Sequence, residues 1–304
     1  MIGNRTSQAQ CFSDGSVVAQ KAPADIDPAS FKALRDLLYE LSGIYLNEKK
    51  APLLHNRLAP VLKEFGLPDY QALVDQLKAS SNKGPLVNRV LDSLVVAESS
   101  FFRNKPQLKA LVNSILPELF ENARQSGRGK LRILSAGCSS GEEPYTLAIL
   151  LKHHFAPQLE EMPVELTGID ISARLLEQAR KAEYPEFLLR DVPEDLRRQY
   201  FQKVGLQYTL VPEIREMVRL RQANLLDGQQ LFRMGHFDLI LCRNVLLYFH
   251  REAKIQTVNA LYNMLYPQGY LLVGYSESLH GISRAFEIVL FPKAISYKKT
   301  VLES

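Results

Sequence analysis

The sequence predicts an α/β protein with a Rossmann-like, doubly wound sheet, a small N-terminal helical domain before it and a small inserted subdomain within it. Three observations predict this class. The chain of 304 residues has helical patterning up to about residue 120. From residue 131 onward, short apolar runs alternate with helical patterns, which is typical of a mostly parallel sheet with helices on both faces. The interval Tyr184–Glu216 is less regular and rich in Pro, Tyr and Phe.

The composition is that of an ordinary globular protein, with 46% hydrophobic and 23% charged residues and a net charge of +4. This charge does not by itself indicate a nucleic-acid partner, and it is compatible with an acidic protein partner. The cysteines, Cys11, Cys138 and Cys242, have no CxxC spacing, which favours a reducing compartment. We predict no signal peptide and no insertion into a membrane, and we expect a cytoplasmic protein.

The N-terminal part is predicted as a mobile tail over residues 1–26 and a helical domain over 27–120. Its clearest helix carries an apolar stripe from Leu54 to Phe65, with Asn47 as the N-cap. Pro60 is expected to kink or break this helix. Further helices are predicted over 69–79, 86–95 and 107–125, and residues 121–130 are predicted as a linker.

The domain over residues 131–304 is predicted to contain parallel strands with helices between most of them. The last strand is expected to run antiparallel to the others. The predicted strands are Leu131–Ser135, Val164–Ile169, Val218–Gln222, Phe237–Cys242 and Tyr270–Gly274, followed by a pair at Phe286–Phe291 and Ala294–Lys298.

The most informative segment is the loop after the first strand, SAGCSSGEEPY from Ser135 to Tyr145. A small-residue loop between a strand and a helix presents its backbone to a nucleotide-like ligand. This loop ends in the carboxylates Glu142 and Glu143, which repel a pyrophosphate but accommodate a cation. The sequence therefore predicts S-adenosylmethionine, which joins an adenosine to a sulfonium and an ammonium group.

Suitable residues follow three further strands, where ligands bind in an open α/β sheet. Asp170 ends the second strand and either accepts hydrogen bonds from ribose hydroxyls or caps the next helix. Asn224 and Leu225 follow the third strand and are placed to bracket an adenine. Asn244 and Tyr248 follow the fourth, and their spacing puts both on one face of the next turn. The coincidence of four strand ends favours a binding site over unrelated tight turns.

Other reactive side chains are interpreted as structural. Cys138 and Cys242 are predicted to be small buried residues at strand ends, since no His lies near either in sequence. His153 and His154 are predicted to compensate a helix dipole, and no metal site is expected.

Four segments resemble the signatures of CheR-type chemotaxis receptor (protein-glutamate) O-methyltransferases. They are SAGCSSGEEPY, CRNVLLYF from Cys242 to Phe249, SSFFR from Ser99 to Arg103 and GYSES from Gly274 to Ser278. The resemblance spans about Phe31 to Lys298 in family order. Val96-Ala97, Ser172 and Tyr275 depart from the family pattern, which bears on substrate detail more than on activity.

The resemblance implies a methyltransferase that transfers a methyl group from S-adenosylmethionine to glutamate carboxylates on chemoreceptor cytoplasmic helices, leaving S-adenosylhomocysteine. Because the carboxylate is already ionised at neutral pH, no general base and no metal are needed. Arg103 and Tyr248 are predicted to lie nearest the reacting atoms, as catalytic residues. Cofactor contacts are implied for Ser99, Arg103, Gly137, Glu143, Asp170, Asn224, Leu225, Asn244 and Tyr248.

Lys50 and Arg57 border the apolar stripe of the helix after Asn47. They either extend from a packed helix into water or bind acidic residues of a receptor, and the sequence leaves both interpretations open.

Three other functions are weighed against a protein-glutamate methyltransferase. A non-catalytic S-adenosylmethionine-binding scaffold or sensor would not need Arg103 or Tyr248, and both are present. A nucleic-acid methyltransferase would need a concentrated basic face with stacking aromatics or an amine-methylating motif, and neither is seen. A dinucleotide dehydrogenase is disfavoured because the first loop lacks GxGxxG.

Overall fold

The N-terminal domain is a bundle of helices around its own core. A computed structural model describes residues 25–80, 84–95 and 98–300. The helices are α1 (Pro28–Ser42), α2 (Ala51–Glu64), α3 (Tyr70–Ala79) and α4 (Pro85–Leu94). Asp27 and Asp69 begin α1 and α3 by accepting backbone N–H groups of the first turn. The helices predicted over 69–79 and 86–95 are confirmed; most of the predicted tail, and the departure at Val96-Ala97, lie outside the described residues.

Helix α2 carries the predicted apolar stripe, but its start and its proline differ from the prediction. Asn47 makes no side-chain capping bond and precedes a short 3-10 turn, Glu48–Lys50, so α2 begins only at Ala51. Of the two predicted effects of Pro60, the break is wrong, because α2 continues through it, and the kink stays a prediction. Pro60 and Asn56 are both exposed, so the Asn56 carbonyl that lacks an N–H donor is open to water.

The rest of the chain alternates strands and helices. Across the described residues, no helix is both long enough and apolar enough to cross a membrane. The helices are α5 (Lys105–Ala110), α6 (Leu116–Gln125), α7 (Glu142–His154), α8 (Ala156–Glu161), α9 (Ala173–Lys181), α10 (Glu194–Tyr200), α11 (Pro212–Arg215), α12 (Gly228–Phe232) and α13 (Arg251–Asn263). The strands are β1 (Leu131–Ala136), β2 (Val164–Asp170), β3 (Glu183–Pro185), β4 (Phe201–Val204), β5 (Gln207–Leu210), β6 (Val218–Gln222), β7 (Phe237–Cys242), β8 (Leu265–Val273), β9 (Phe286–Phe291) and β10 (Ala294–Lys299).

The main sheet confirms the doubly wound prediction. Within the described chain it has seven strands in the order β6-β2-β1-β7-β8-β10-β9. The strands from β6 to β8 are parallel, and β10 pairs antiparallel with both β8 and β9. Apolar cores lie on both faces of the sheet. Because β2 and β7 flank β1 on opposite sides, the chain switches direction there, and a crevice opens at the carboxyl ends of these strands.

The helix predicted over 107–125 packs with the sheet and not with the bundle. It begins at Lys105, and its middle is a π turn, Leu111–Ile115, between α5 and α6. Leu116 and Phe120 belong to the core under β1, whereas the buried core of the bundle ends at Leu94. Packing therefore divides the chain near residue 95, before the predicted boundary at 120, and the predicted linker begins inside α6. Helical periodicity reveals an apolar face but not which domain that face contacts.

The irregular interval folds as the predicted inserted subdomain. Its strands form an antiparallel sheet in the order β3-β5-β4, and α10 precedes β4. Tyr184 and Phe201 are buried and pack edge-to-face on Phe101, at 4.8 and 5.0 Å between ring centroids. The insert therefore packs against the Ser99–Arg103 segment through Phe101.

Candidate active site

A large cleft opens at the carboxyl ends of β1, β2, β6 and β7. Its volume is about 1440 Å³ up to bulk solvent. The sheet loops, the segment before α5 and the N-terminal helices all contribute to its walls. It is lined by every residue predicted for a site, namely Lys50, Arg57, Ser99, Arg103, Gly137, Glu143, Asp170, Asn224, Leu225, Asn244 and Tyr248.

The loop after β1 places its backbone against the cleft. Gly137 has φ +78°, and a Cβ there would lie 2.4 Å from Val245 Cγ2, so no side chain fits. Ser139 is also left-handed, at φ 52°, and its N–H donates to Asp170 Oδ2 at 2.8 Å. The Ser139 hydroxyl lines this cleft and is buried without a hydrogen-bond partner among the described residues. The loop thus presents an unsatisfied polar group to a ligand.

Asp170 is held by backbone donors. Its Oδ2 accepts from Ser139 N, and its Oδ1 accepts from Ser172 N at 2.9 Å. Ser172 caps α9 by accepting from Leu175 N, so the capping alternative for Asp170 is wrong. Burial raises the pKa of Asp170, although its backbone hydrogen bonds act in the opposite direction. Each oxygen keeps a second lone pair for a ligand hydroxyl.

Glu143 forms a buried ion pair with Arg243. Its Oε2 lies 3.2 Å from Arg243 Nη1, and its Oε1 accepts from Ser135 Oγ at 2.7 Å. Burial raises the pKa of Glu143, and the charge of Arg243 partly offsets this shift. Arg243 also donates to the Arg103 carbonyl at 2.7 Å, while its buried Nε has no partner in the described part of the chain. Arg243 was missed in the sequence, although it lies inside the CRNVLLYF signature.

The two carboxylates at the end of the first loop have different positions. Glu143 lines the cleft, whereas Glu142 is buried in the first turn of α7. Burial raises the pKa of Glu142, and the hydrogen bond from Ser140 Oγ acts in the opposite direction. The electrostatic prediction for the loop therefore rests mainly on Glu143.

Arg103 is held at the cleft by the aromatic residues that precede it. Phe101 is fully buried, and Phe102 N donates to Thr146 Oγ1 at 3.1 Å. Phe102 and Asn104 are left-handed, at φ 55° and 65°, so the chain turns sharply around Arg103. The Arg103 side chain donates a hydrogen bond through Nη1 to the backbone carbonyl oxygen of Glu98.

Asn224 uses its amide within the protein. Its Nδ2 donates to Leu41 O at 2.7 Å, and its Oδ1 accepts from Leu226 N at 3.0 Å. These bonds connect the end of α1 to the loop after β6. Leu225 is buried in the core on the α13 face of the sheet. Both predicted residues line the cleft, and the role of this loop as an adenine bracket stays a prediction.

The turn after β7 differs from the predicted helical turn. Asn244 is left-handed, at φ 60°, and a 3-10 turn covers Leu246–Tyr248. The two side chains predicted to share one helix face therefore do not follow helical spacing. Both nevertheless line the cleft, because the strand end points the whole turn towards it. Burial raises the pKa of Tyr248, and the charge of Glu98 acts in the same direction.

Glu277 was also missed, and it fixes this turn. Its Oε2 accepts from Asn244 N at 2.7 Å and from Gly274 N at 2.6 Å, and its Oε1 accepts from Leu247 N at 3.1 Å. A Cβ on Gly274 would lie 2.6 Å from Glu277 Oε2. One carboxylate therefore joins the loop after β8 to the turn that carries Tyr248. The available signal was the GYSES segment, whose Glu was not given a role.

The helical domain completes the cleft. Ile44 forms an antiparallel bridge with Phe249, and Tyr45 N donates to Tyr248 O at 3.4 Å. Arg57 is half-buried and donates to Leu94 O at 2.5 Å. Lys50 is exposed at the cleft. Arg57 therefore makes a contact inside the bundle that neither interpretation included, while its place on the wall keeps the receptor interpretation open.

Nucleophilic chemistry is not supported at the two cysteines that the structure describes. Cys138 and Cys242 are buried and free, and burial raises the pKa of both thiols well above the ordinary value. Their prediction as packing residues is confirmed. Among residues 25–80, 84–95 and 98–300, no group of three or more His, Cys, Asp or Glu residues is arranged to hold a metal ion.

The residues of the cleft fit S-adenosylmethionine. Asp170 and Glu143 provide carboxylates for hydroxyl and ammonium groups. The Ser139 hydroxyl and Arg243 Nε, which have no partner among the described residues, offer a hydroxyl group and a cationic donor. The cationic donor is suited to a carboxylate. The glycine at 137 leaves room that a Cβ would fill.

Two family models and several chemotaxis methyltransferases are similar to this chain. The family model described as CheR methyltransferase, SAM binding domain, matches residues 97–295, and CheR methyltransferase, all-alpha domain, matches residues 29–95. A chemotaxis protein methyltransferase of Borreliella burgdorferi is 35% identical over 81% of this chain and 86% of its own length. One of Vibrio parahaemolyticus is 34% identical over 90% of this chain and 98% of its own length.

Proposed function

Since this chain belongs to the CheR methyltransferase family, we propose that it methylates glutamate side chains on the cytoplasmic helices of chemoreceptors. It is an S-adenosylmethionine-dependent methyltransferase of chemotaxis. The observation that carries the finer proposal is the convergence of Arg103, Tyr248 and Glu143 on one cleft. We further propose a cytoplasmic location, because the receptor helices to be modified lie there.

The chemistry demands positioning more than proton transfer. Bound S-adenosylmethionine supplies an electrophilic methyl group on a sulfonium. The substrate carboxylate has an ordinary pKa of about 4.3 and is already a nucleophile at neutral pH. The protein must therefore hold this carboxylate in line with the methyl group, and such alignment is worth up to about 7–11 kcal/mol in favourable cases.

Tyr248 and Arg103 are the proposed orienting groups. Burial and Glu98 raise the pKa of Tyr248, so its hydroxyl stays protonated and is a hydrogen-bond donor to a carboxylate. Arg103 offers two parallel N–H donors to carboxylate oxygens. Its backbone carbonyl is held by Arg243, so the position of Arg103 depends on the same ion pair that fixes Glu143.

Cofactor binding is proposed for the remaining cleft residues. Asp170 is proposed to accept from the ribose hydroxyls, and Glu143 to face the ammonium group. Arg243, whose buried Nε has no partner among the described residues, would donate to the cofactor carboxylate. Ser99, Gly137, Asn224, Leu225 and Asn244 are proposed to complete this site.

The test is transfer of radiolabelled methyl from S-adenosylmethionine to membranes that carry chemoreceptors. We expect label that base releases as methanol, and a loss of at least about 100-fold in rate for Arg103→Ala, the usual scale for a removed transition-state contact. Arg124→Ala is the matched control, because Arg124 lies on the exposed side of α6. Cofactor binding without any base-labile label on membranes from several receptors would favour the scaffold alternative instead.

A further inference from the structure

One wall of the cleft mouth is an exposed stripe of α2 and the turn before it. Lys50, Leu53 and Arg57 follow the spacing i, i+3 and i+7, and all line the cleft. Leu54 and Leu58, by contrast, are fully buried in the core of the bundle. Leu53 is 42% exposed although it is apolar. The stripe therefore combines two cations with an aliphatic side chain at the entrance to the site.

A second exposed apolar pair lies on two loops that Glu277 joins to the cleft-lining Asn244. Leu247 is 45% exposed and Tyr275 is 85% exposed. Leu247 directly precedes Tyr248, which lines the cleft. Glu277 binds Leu247 N and Gly274 N, so the loop that carries Tyr275 is fixed beside this turn. Tyr275 is therefore presented to solvent on a fixed loop, next to the segment that carries the cleft-lining Tyr248.

We infer that Leu53, Leu247 and Tyr275 form an apolar docking surface for the substrate helix, on which the glutamate-bearing helix places its apolar face. This inference rests on the proposed function and names the partner surface of that same site. The occupant follows from charge complementarity: Lys50 and Arg57 favour acidic residues, and the neighbouring apolar side chains favour small aliphatic ones. An amphipathic helix that is acidic on one face and aliphatic on the next satisfies both.

Tyr275 is the most informative member of this surface. It occupies the position where the resemblance in the sequence departs from the family pattern, and no hydrogen bond in the structure uses its hydroxyl within the described residues. Its contribution is therefore expected to come from the ring. Because Tyr275 is not a cleft-lining residue, its removal should weaken docking and leave the alignment of the reacting groups unchanged.

The experiment measures docking and turnover separately. The probe is a fluorescently labelled, stapled helical peptide with glutamate pairs on one face and alanine and leucine on the adjacent face. Its Kd is measured by anisotropy on the full chain with S-adenosylhomocysteine present, and methyl transfer to the same peptide is followed with labelled cofactor. We expect Tyr275→Ala to raise the peptide Kd and KM about tenfold, the usual scale for one lost aromatic contact, with kcat and cofactor affinity unchanged.

Two variants serve as controls. Tyr275→Phe should bind the peptide like the unaltered protein, because it keeps the ring. Phe232→Ala removes an aromatic residue that is 76% exposed on α12 and does not line the cleft, and it should change nothing. An unchanged Kd for Tyr275→Ala, or an equal loss for Phe232→Ala, would overturn the inference. A third outcome separates the two proposals. If the unaltered protein binds the peptide and Tyr275→Ala weakens this binding, but no methyl ester forms, the docking surface is supported and the proposed function is not.

Discussion

Replacing Gly137 by alanine tests the geometry of the first loop. The new Cβ would lie 2.4 Å from Val245 Cγ2, and the backbone is left-handed at φ +78°. Left-handed backbone costs a residue with a Cβ about 1–2 kcal/mol. Overpacking adds about 1–3 kcal/mol. Gly137→Ala should therefore lower the free energy of unfolding by about 2–5 kcal/mol and weaken cofactor binding, because the loop must shift at the cleft.

Val245→Ala separates the two contributions. It removes the clashing methyl group and leaves the Val245 Cβ position, 3.5 Å from the new atom, in ordinary contact. Because Val245 is half-buried, Val245→Ala alone should lower the free energy of unfolding by about 1 kcal/mol. In the double variant the overpacking disappears, so the two changes should be less than additive by about 1–3 kcal/mol. Gly127→Ala is the control for backbone alone, because Gly127 has φ +65° and nothing near its Cβ.

The assay is urea unfolding of the four proteins in the cycle, together with calorimetric binding of S-adenosylhomocysteine. The coupling energy is the decisive quantity. A coupling below about 0.5 kcal/mol, the usual deviation of independent sites, would refute the contact between the two loops. Equal destabilisation by Gly127→Ala and Gly137→Ala would likewise mean that the backbone conformation alone explains the effect.

Two further predictions concern the carboxylates of the site. Glu277→Gln replaces a carboxylate that accepts three backbone N–H groups. It should lower the free energy of unfolding by about 1.5–3 kcal/mol and should also lower kcat. The control is Glu287→Gln at an exposed position, which should change neither the free energy of unfolding nor kcat. Burial raises the pKa of Asp170 and Glu143, so both gain a proton at a higher pH than ordinary carboxyls. The affinity for S-adenosylmethionine, measured by titration calorimetry at a series of pH values, should accordingly decrease as the solution is acidified. An affinity that rises on acidification would contradict this sign.

The strands and their ends were predictable because they depend on local pattern. Apolar runs such as Phe237–Cys242 are buried at every position, as the centre of a parallel sheet requires. Residues that follow such strands meet at one edge whatever their side-chain contacts are. The cleft could therefore be assembled in sequence from Gly137, Asp170, Asn224 and Asn244 without knowledge of any distance.

Contacts between distant segments were not predictable in the same way. The Arg243 guanidinium joins Glu143 and Arg103, which are separated by many residues in the chain, and no local pattern indicates this. The contacts of Glu277 were not predictable either, because its carboxylate accepts hydrogen bonds from backbone N–H groups, which are present in any sequence. The packing partner of the helix after Lys105 was also not predictable, since periodicity reveals an apolar stripe but not the domain that the stripe contacts.

The position of the helical domain changes how its function should be understood. A domain used only for recognition would need few contacts with the catalytic residues. Here Tyr45 donates to the Tyr248 carbonyl, and Leu41 accepts from the Asn224 side chain. The bundle thus holds both the turn with the proposed orienting tyrosine and the loop proposed to face adenine. Docking of a helix on α2 would act on the domain that also contacts these groups, so recognition of the substrate and alignment of the reaction depend on the same domain.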